Sequence, residues 1–299
     1  MRLHVVDGTY ELFRAYYSKR PDHRTPDGWE AKAVVGLISS LLALLHDAEE
    51  AVTHLAVAFD NPIESFRNDL FAGYKTGEGM DPVLYSQFGP AEEAVRALGV
   101  TVWSMDRWEA DDALGTASVR YGDTFEQVRI LTPDKDLGQC IRGRRVVQVD
   151  RLRKREIDED ALRQSWGVAP ESIPDLIGLI GDTADGIPGL PGIGEKTGAA
   201  LLSRYLHLEH IPADAASWDV QIRGAAKIAA TLAAMREEAL LYRRLATLAL
   251  DVPLPETAAD LEFRGVPRST FEGWCDRLGV TGLKARPKRW LEAATATGT

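Results

Sequence analysis

The stretch GLIGDTADGIPGLPGIGEKTGAALL, Gly178 to Leu202, sets two carboxylates, Asp182 and Asp185, beside a turn rich in Gly and Pro. Lys196 and Thr197 follow directly. Carboxylates repel phosphate, whereas backbone amides at a helix start attract it. A site that holds both needs a cation between them. Seven more acids fall in four short clusters: Asp7; Asp60; Glu109 with Asp111 and Asp112; Asp134 with Asp136. Nine carboxylates converge only with cations, because like charges in one site repel and raise each other's pKa. An all-oxygen set without His or Cys suits Mg²⁺ or Mn²⁺. Two such ions about 4 Å apart are the usual means of in-line phosphodiester cleavage.

The acids imply the elements that must carry them. LHVVD (Leu3 to Asp7) and HLAVAFD (His54 to Asp60) are β-rich runs, each closing on Asp. VRILTPDKD (Val128 to Asp136) brings Asp134 and Asp136 just past a third. Helix-patterned stretches such as Ala31 to Leu45 and Glu92 to Leu98 lie between. This alternation predicts an α/β fold with a mainly parallel sheet. Functional groups of such sheets gather at the carboxyl ends of the strands. Glu109, Asp111 and Asp112 open a predicted helix, where Glu109 and Asp112 share a face. Acids also suit the first turn of any helix, so capping and function are equal readings for that group. One helical turn would point Asp182 and Asp185 the same way.

GLPGIGEKT looks like a Walker-A loop but misses by one residue. Glu195 separates Gly194 from Lys196, and the segment before it, IPDLIGLIGD, reads as a helix rather than a strand. A helix–turn–helix grip on a nucleic-acid backbone fits better. Gly192 and Gly194 let the backbone approach closely, the next helix points amides at a phosphate, Lys196 adds charge and Thr197 a hydroxyl. An ordinary Gly-rich helix connection is the bland alternative. The neighbouring acid pair favours the grip.

The formal charge of −10 argues by itself against a polyanionic partner. Without the nine clustered acids, however, 36 acidic residues face 35 basic ones. The acidity therefore does not exclude DNA. Cys140 and Cys275 form no C-x-x-C pair, which excludes a disulfide framework and fits a reducing, cytoplasmic setting. The opening RLHVVDG reads as a strand and not as a signal peptide. The apolar run AVVGLISSLLALL is too short to span a bilayer, so no membrane association is expected.

The motifs LHVVDGTYELFRAYY, AFDNPIESFRNDLFAGYK, WEADDALGTAS, LTPDKDLGQC and the opening stretch resemble the 5′-nucleases. These comprise the 5′→3′ exonuclease domain of bacterial DNA polymerase I and the flap endonucleases. The resemblance runs over nearly the whole chain. It implies a PIN-like core over residues 1–175 and a helical arch at about 62–95. A helical region with a helix–three-turn–helix motif would follow over 176–290, then a flexible tail at 291–299. It implies one metal site from Asp7, Asp60, Glu109, Asp111 and Asp112, and a second from Asp134, Asp136, Asp182 and Asp185. K⁺ would sit in the three-turn. Arg67 and Lys75 would draw the terminal nucleotides onto the metals; by charge alone they read as surface cations. The partners implied are DNA 5′ ends, flaps or junctions, and the chain a stand-alone monomer.

Two positions depart from the family pattern. YKTGE puts Glu78 where an arginine is usual, and AVVGL puts Val35 where a tyrosine is usual. Both bear on substrate handling, and neither is a metal ligand. The activity implied is metal-dependent 5′→3′ exonuclease and flap endonuclease cleavage. A non-catalytic binder of branched DNA is the alternative, and a PIN-like RNase a third that the long helical region after Gly178 disfavours.

Overall fold

Each β-rich run that closes on an acid becomes a strand. The computed structural model describes residues 1–292 and contains β1 (Arg2–Asp7), β2 (His54–Asp60), β3 (Thr101–Met105), β4 (Gln127–Leu131), β5 (Val146–Asp150) and β6 (Arg155–Ile157). They form one sheet in the order β3-β2-β1-β4-β5-β6. All pairings are parallel except β5 with the short edge strand β6. The expected α/β class with a mainly parallel sheet is therefore the observed one. Every residue of β2 is buried, as a strand covered on both faces requires. The strand order reverses between β1 and β4, so the switch point lies between Asp7 and the residues after Leu131.

The helices are α1 (Gly8–Tyr16), α2 (Lys32–Leu45), α3 (Phe66–Leu70), α4 (Pro82–Tyr85), α5 (Phe88–Ala97), α6 (Ala110–Tyr121), α7 (Glu159–Trp166), α8 (Ile173–Ile180), α9 (Glu195–Tyr205), α10 (Ala225–Ala234), α11 (Arg236–Ala246) and α12 (Arg268–Leu278). One sheet face packs on α1, α2, α5 and α12 through Leu37, Leu41, Phe59, Val95 and Phe271. The other packs on α6 and on the extended segment around Leu248, Val252 and Leu254. A third cluster joins α7 to α11, with Leu176, Ile177, Leu201 and Leu245 at its centre. Helices α8 and α11 cross at Gly178, where a Cβ would lie 2.8 Å from the Arg243 amide.

Two features of the layout show how the later segments pack. The span 176–290 carries most of α8, then α9 to α11 and then α12. From about Leu248 the chain returns to the α/β body, and α12 packs beside α5 on the sheet. The segment 62–95, expected as the arch, follows β2. It holds only the short α3 and α4 before α5, whose Ala91, Ala94 and Val95 are buried in the core. Most of the expected tail, residues 293–299, lies outside the described residues.

Candidate active site

Asp7 ends β1 and caps α1. Its carboxylate accepts from the Tyr10 amide at 2.8 Å and from Thr132 Oγ1 at 3.0 Å. Asp60 ends β2 and accepts from the Ala110 amide at 2.7 Å, which ties it to the start of α6. Glu109 occupies the N-cap of α6, and Asp111 lies in that helix's first turn. Asp134 follows β4 and accepts from the Asp136 amide at 3.0 Å, capping a 3₁₀ turn over Lys135–Cys140. Asp7, Asp60, Glu109, Asp111 and Asp134 line one cavity of about 380 Å³ with Lys75, Thr9, Tyr10, Phe13 and Thr132.

The electrostatics follow from crowding. Burial, then Asp60 and Asp134, pushes the Asp7 carboxyl up to about 7. Burial, then Asp7 and Asp134, raises Asp111 well above the usual carboxylate range. Burial raises Asp60 as well. Glu109 goes the other way. Burial alone would raise it, but Lys75 and Arg67 hold it down at about 2. Lys75 Nζ sits 2.8 Å from Glu109 and 3.2 Å from Asp185.

Arg67 and Asp112 are paired with each other. Arg67 is 1% exposed. Its guanidinium grips both oxygens of Asp112 at 2.7 and 2.8 Å and reaches Glu109 at 3.1 Å. It also donates to the carbonyls of Leu245 at 2.7 Å and Thr247 at 3.1 Å. In this arrangement its donors are taken up inside the protein. Asp112 is fully buried and also accepts from the amides of Glu109 at 2.9 Å and Ala249 at 2.8 Å. Its lone pairs are spent on holding α6 to the segment after α11. In this geometry it anchors the site rather than lining it.

Asp182 and Asp185 do not lie on a helix. Helix α8 ends at Ile180, and the acids occupy a tight loop closed by paired 2.8 Å backbone bonds between Asp182 and Ile187. The loop presses on the segment before Lys75, whose amide donates to the Asp185 carbonyl at 3.0 Å. Gly186 permits this contact: its φ is +73°, and a Cβ there would meet the Gly73 carbonyl. Asp182 is ion-paired by Lys135 and opens onto a neighbouring cavity with Gly194 and Glu195. Lys135 was not singled out from the sequence, although its place between Asp134 and Asp136 was the available signal. Tyr74, whose hydroxyl meets Glu109 at 3.2 Å, was also missed.

Among the described residues, no three His, Cys, Asp or Glu side chains are disposed to enclose an ion as they stand. Lys75 and Lys135 take up part of the carboxylate charge instead. The donor set nevertheless fits hard divalent cations. Asp136 Oδ1 is buried without a hydrogen-bond partner, and burial with Asp134 and Asp185 raises its carboxyl. The same crowding raises the carboxyls of Asp7 and Asp111.

The glycine-rich turn joins α8 to α9. Gly192 has φ +81°, and Gly194 is the extended N-cap of α9. The first-turn amides of a helix have no carbonyl partner within it. Lys196 is exposed in that turn and Thr197 half-buried, its amide donating to the Gly194 carbonyl at 3.0 Å.

Residues 2–167 match the 5′-3′ exonuclease N-terminal resolvase-like domain, and residues 168–269 match the 5′-3′ exonuclease C-terminal SAM fold. The chain belongs to the 5′-3′ exonuclease family. It is 34% identical to DNA polymerase I of Bacillus caldotenax over 93% of its own length, and 34% identical to that of Pseudomonas aeruginosa over 92%. It spans only 31% of either relative. In three dimensions it is similar to a T5 5′-exonuclease with bound zinc, at TM-score 0.66 and 20% identity, covering 83% of this chain and 90% of that one. It is similar also to the catalytic core of Rad2 in complex with DNA substrate, at TM-score 0.59 and 11% identity, covering 93% and 87%. Among the described residues no helix is long and apolar enough to cross a membrane.

Proposed function

We propose that the chain is a divalent-metal-dependent 5′→3′ exonuclease and flap endonuclease that hydrolyses DNA near 5′ ends and junctions. The carrying observation is the cavity at the sheet's switch point, lined by five carboxylates with Lys75 among them. Asp7, Asp60, Glu109, Asp111 and Asp134 would hold one cation, and Asp136, Asp182 and Asp185 would help to hold a second. Divalent cations bound there would supply Lewis acidity toward the scissile phosphate and lower the pKa of water. Thr132 and the Tyr10 amide orient Asp7. Arg67 fixes Glu109 and the start of α6. Lys75, one-quarter exposed between two acids, is the cation that an arriving phosphate meets first. A K⁺ ion in the turn before α9, a monomeric state and a cytoplasmic setting complete the proposal; the two cysteines are buried free thiols.

A non-catalytic binder of branched DNA is the second reading. The lysine pairing of Glu109, Asp182 and Asp185 favours it, since those acids are partly neutralised without metal. A 5′-labelled flap duplex, incubated with Mg²⁺, with Mn²⁺ and with excess chelator, separates the two. Cleavage products carrying a 5′-phosphate, lost in chelator, support the nuclease. Tight binding with no cleavage in either metal supports the binder.

Lys196→Ala is expected to weaken duplex binding equally across sequences. The slope of log affinity against log salt should fall by roughly 0.9, the value of one phosphate contact. A changed sequence preference at unchanged slope would contradict a backbone contact. Glu78→Arg is expected to speed capture of substrates with a free 5′ arm severalfold at low salt. Glu78 is exposed, and its neighbour Gly77 already faces Glu64, so an incoming strand meets two acids there. The gain should shrink as salt screens the charges. Identical single-turnover rates at low salt would show that residue 78 does not face the strand.

A further inference from the structure

The amino ends of the strands form the sheet edge opposite the acids. Helix α2 closes there, at Leu45 and His46. Two extended segments finish that edge. The Phe263 amide donates to the Thr53 carbonyl at 3.0 Å, just before β2, and the Leu291 amide donates to the Val266 carbonyl at 2.9 Å. Beside them lies a cavity of about 200 Å³. Leu45, Val52, Phe263 and Val266 give it an apolar floor, and His46, Lys288 and Arg289 stand around it. The length of β2 separates this edge from Asp60, roughly 20 Å at the rise of a strand.

The charge at this cavity has one sign. Among the described residues no acid lines it. Its cations come from KARPKR, Lys284 to Arg289. Lys284 pairs with Asp276 at 2.6 Å, whereas Arg286, Lys288 and Arg289 are exposed and make no ion pair among the described residues. Arg286 donates to the Ser39 carbonyl at 3.4 Å. The acids beside the lining residues are spent elsewhere. Asp47 accepts from the amides of Glu49 and Glu50 at 2.9 and 3.3 Å, and Glu262 pairs with Arg264 at 3.3 Å. Burial, then Lys288 and Arg286, lowers the His46 imidazole below its usual range. The backbone that carries the cations is anchored. Pro287 is buried, and the Lys288 amide donates to His46 Nε2 at 3.2 Å.

We propose that this cavity is a docking site for a partner protein, and that it takes an acidic peptide segment bearing an apolar side chain. The apolar side chain seats on Leu45, Val52 and Phe263, and carboxylates flanking it meet Lys288 and Arg289. Charge complementarity selects this occupant. An apolar floor alone takes any hydrophobic segment, but cations left without acids favour carboxylates and reject basic partners. DNA fits less well. A phosphate backbone makes no use of the floor, and a stiff duplex seated on the acids does not turn back to the opposite sheet edge. A partner held here leaves the acid cavity open.

The test is fluorescence anisotropy of a labelled peptide of Asp and Glu around a central Leu-Phe pair, titrated with the full chain. Replacing Leu-Phe by Ser-Ser in the peptide should weaken binding at least about tenfold, because the anchor is lost. Lys288→Glu with Arg289→Glu should also weaken it at least about tenfold, because two attractive contacts become repulsive. Both side chains are exposed and outside the hydrophobic clusters, so the double variant should melt like the wild type and cleave a flap duplex at the same rate. A peptide that does not bind the wild type, or binds the double variant equally well, overturns the proposal. So does a double variant that loses duplex affinity with a smaller salt slope, which would make the patch a DNA contact. A wild-type dimer in light scattering that the double variant abolishes would seat a second copy there and overturn it as well.

Discussion

Arg67→Ala is expected to cost about 3–5 kcal/mol of folding stability, the usual result of removing one partner from a buried ion pair. Arg67 satisfies two oxygens of Asp112, one of Glu109 and two backbone carbonyls. Alanine would leave two buried carboxylates facing each other and two carbonyls short of a donor. Arg67→Lys should rescue little, because an ammonium cannot span Asp112 in a fork while also reaching Leu245 and Thr247. Lys75→Ala is the control. Its ammonium is one-quarter exposed and Glu109 keeps Arg67 and Ser65 as partners, so stability should fall by less than for Arg67→Ala, while cleavage falls. Urea unfolding of the three variants measures this. A loss under about 1 kcal/mol for Arg67→Ala would show that the network is not what holds α3, α6 and the segment after α11 together.

Asp111→Asn is expected to reduce metal-dependent cleavage at least about 100-fold, the upper end of what losing an outer-shell partner costs. In chelator the variant should melt at or above the wild-type temperature. Asp111 is half-buried on the cavity, where loss of water with Asp7 and Asp134 raises its carboxyl, so its charge works against folding. An amide of the same shape removes that repulsion. Asp112→Ala is expected to lose cleavage together with stability, because it frees Arg67. The neighbouring positions therefore give opposite signs in a thermal melt. If Asp111→Asn cleaves at the wild-type rate, Asp111 is not a ligand. If Asp112→Ala melts like the wild type, its anchoring role falls.

The parts of the molecule legible in one dimension are those set by local rules. β1, β2 and β4 show as β-rich runs because strands buried on both faces are mainly apolar, and the acids at or just past their ends stand out against that pattern. Helix α2 shows as a core helix, with ten of its fourteen residues buried. The glycine-rich turn shows because positive φ and close approach select glycine.

What stayed hidden depends on partners far along the chain. A helix period puts Glu109 and Asp112 on one face, but not which face meets the interior. Arg67, 45 residues before Asp112, and Ala249, 137 residues after it, turn that face inward and leave Asp111 on the cavity. Arg67 looks like a surface cation because arginine is rarely buried without a partner, and its partners are distant. Asp182 and Asp185 looked helical by spacing, yet contact with the Lys75 segment folds them into a loop. By itself the sequence determined which residues carry charge and which strands deliver them. Only the tertiary structure decided which carboxylates face open space and which are spent on arginine, because desolvation and pairing depend on neighbours that chain order does not reveal.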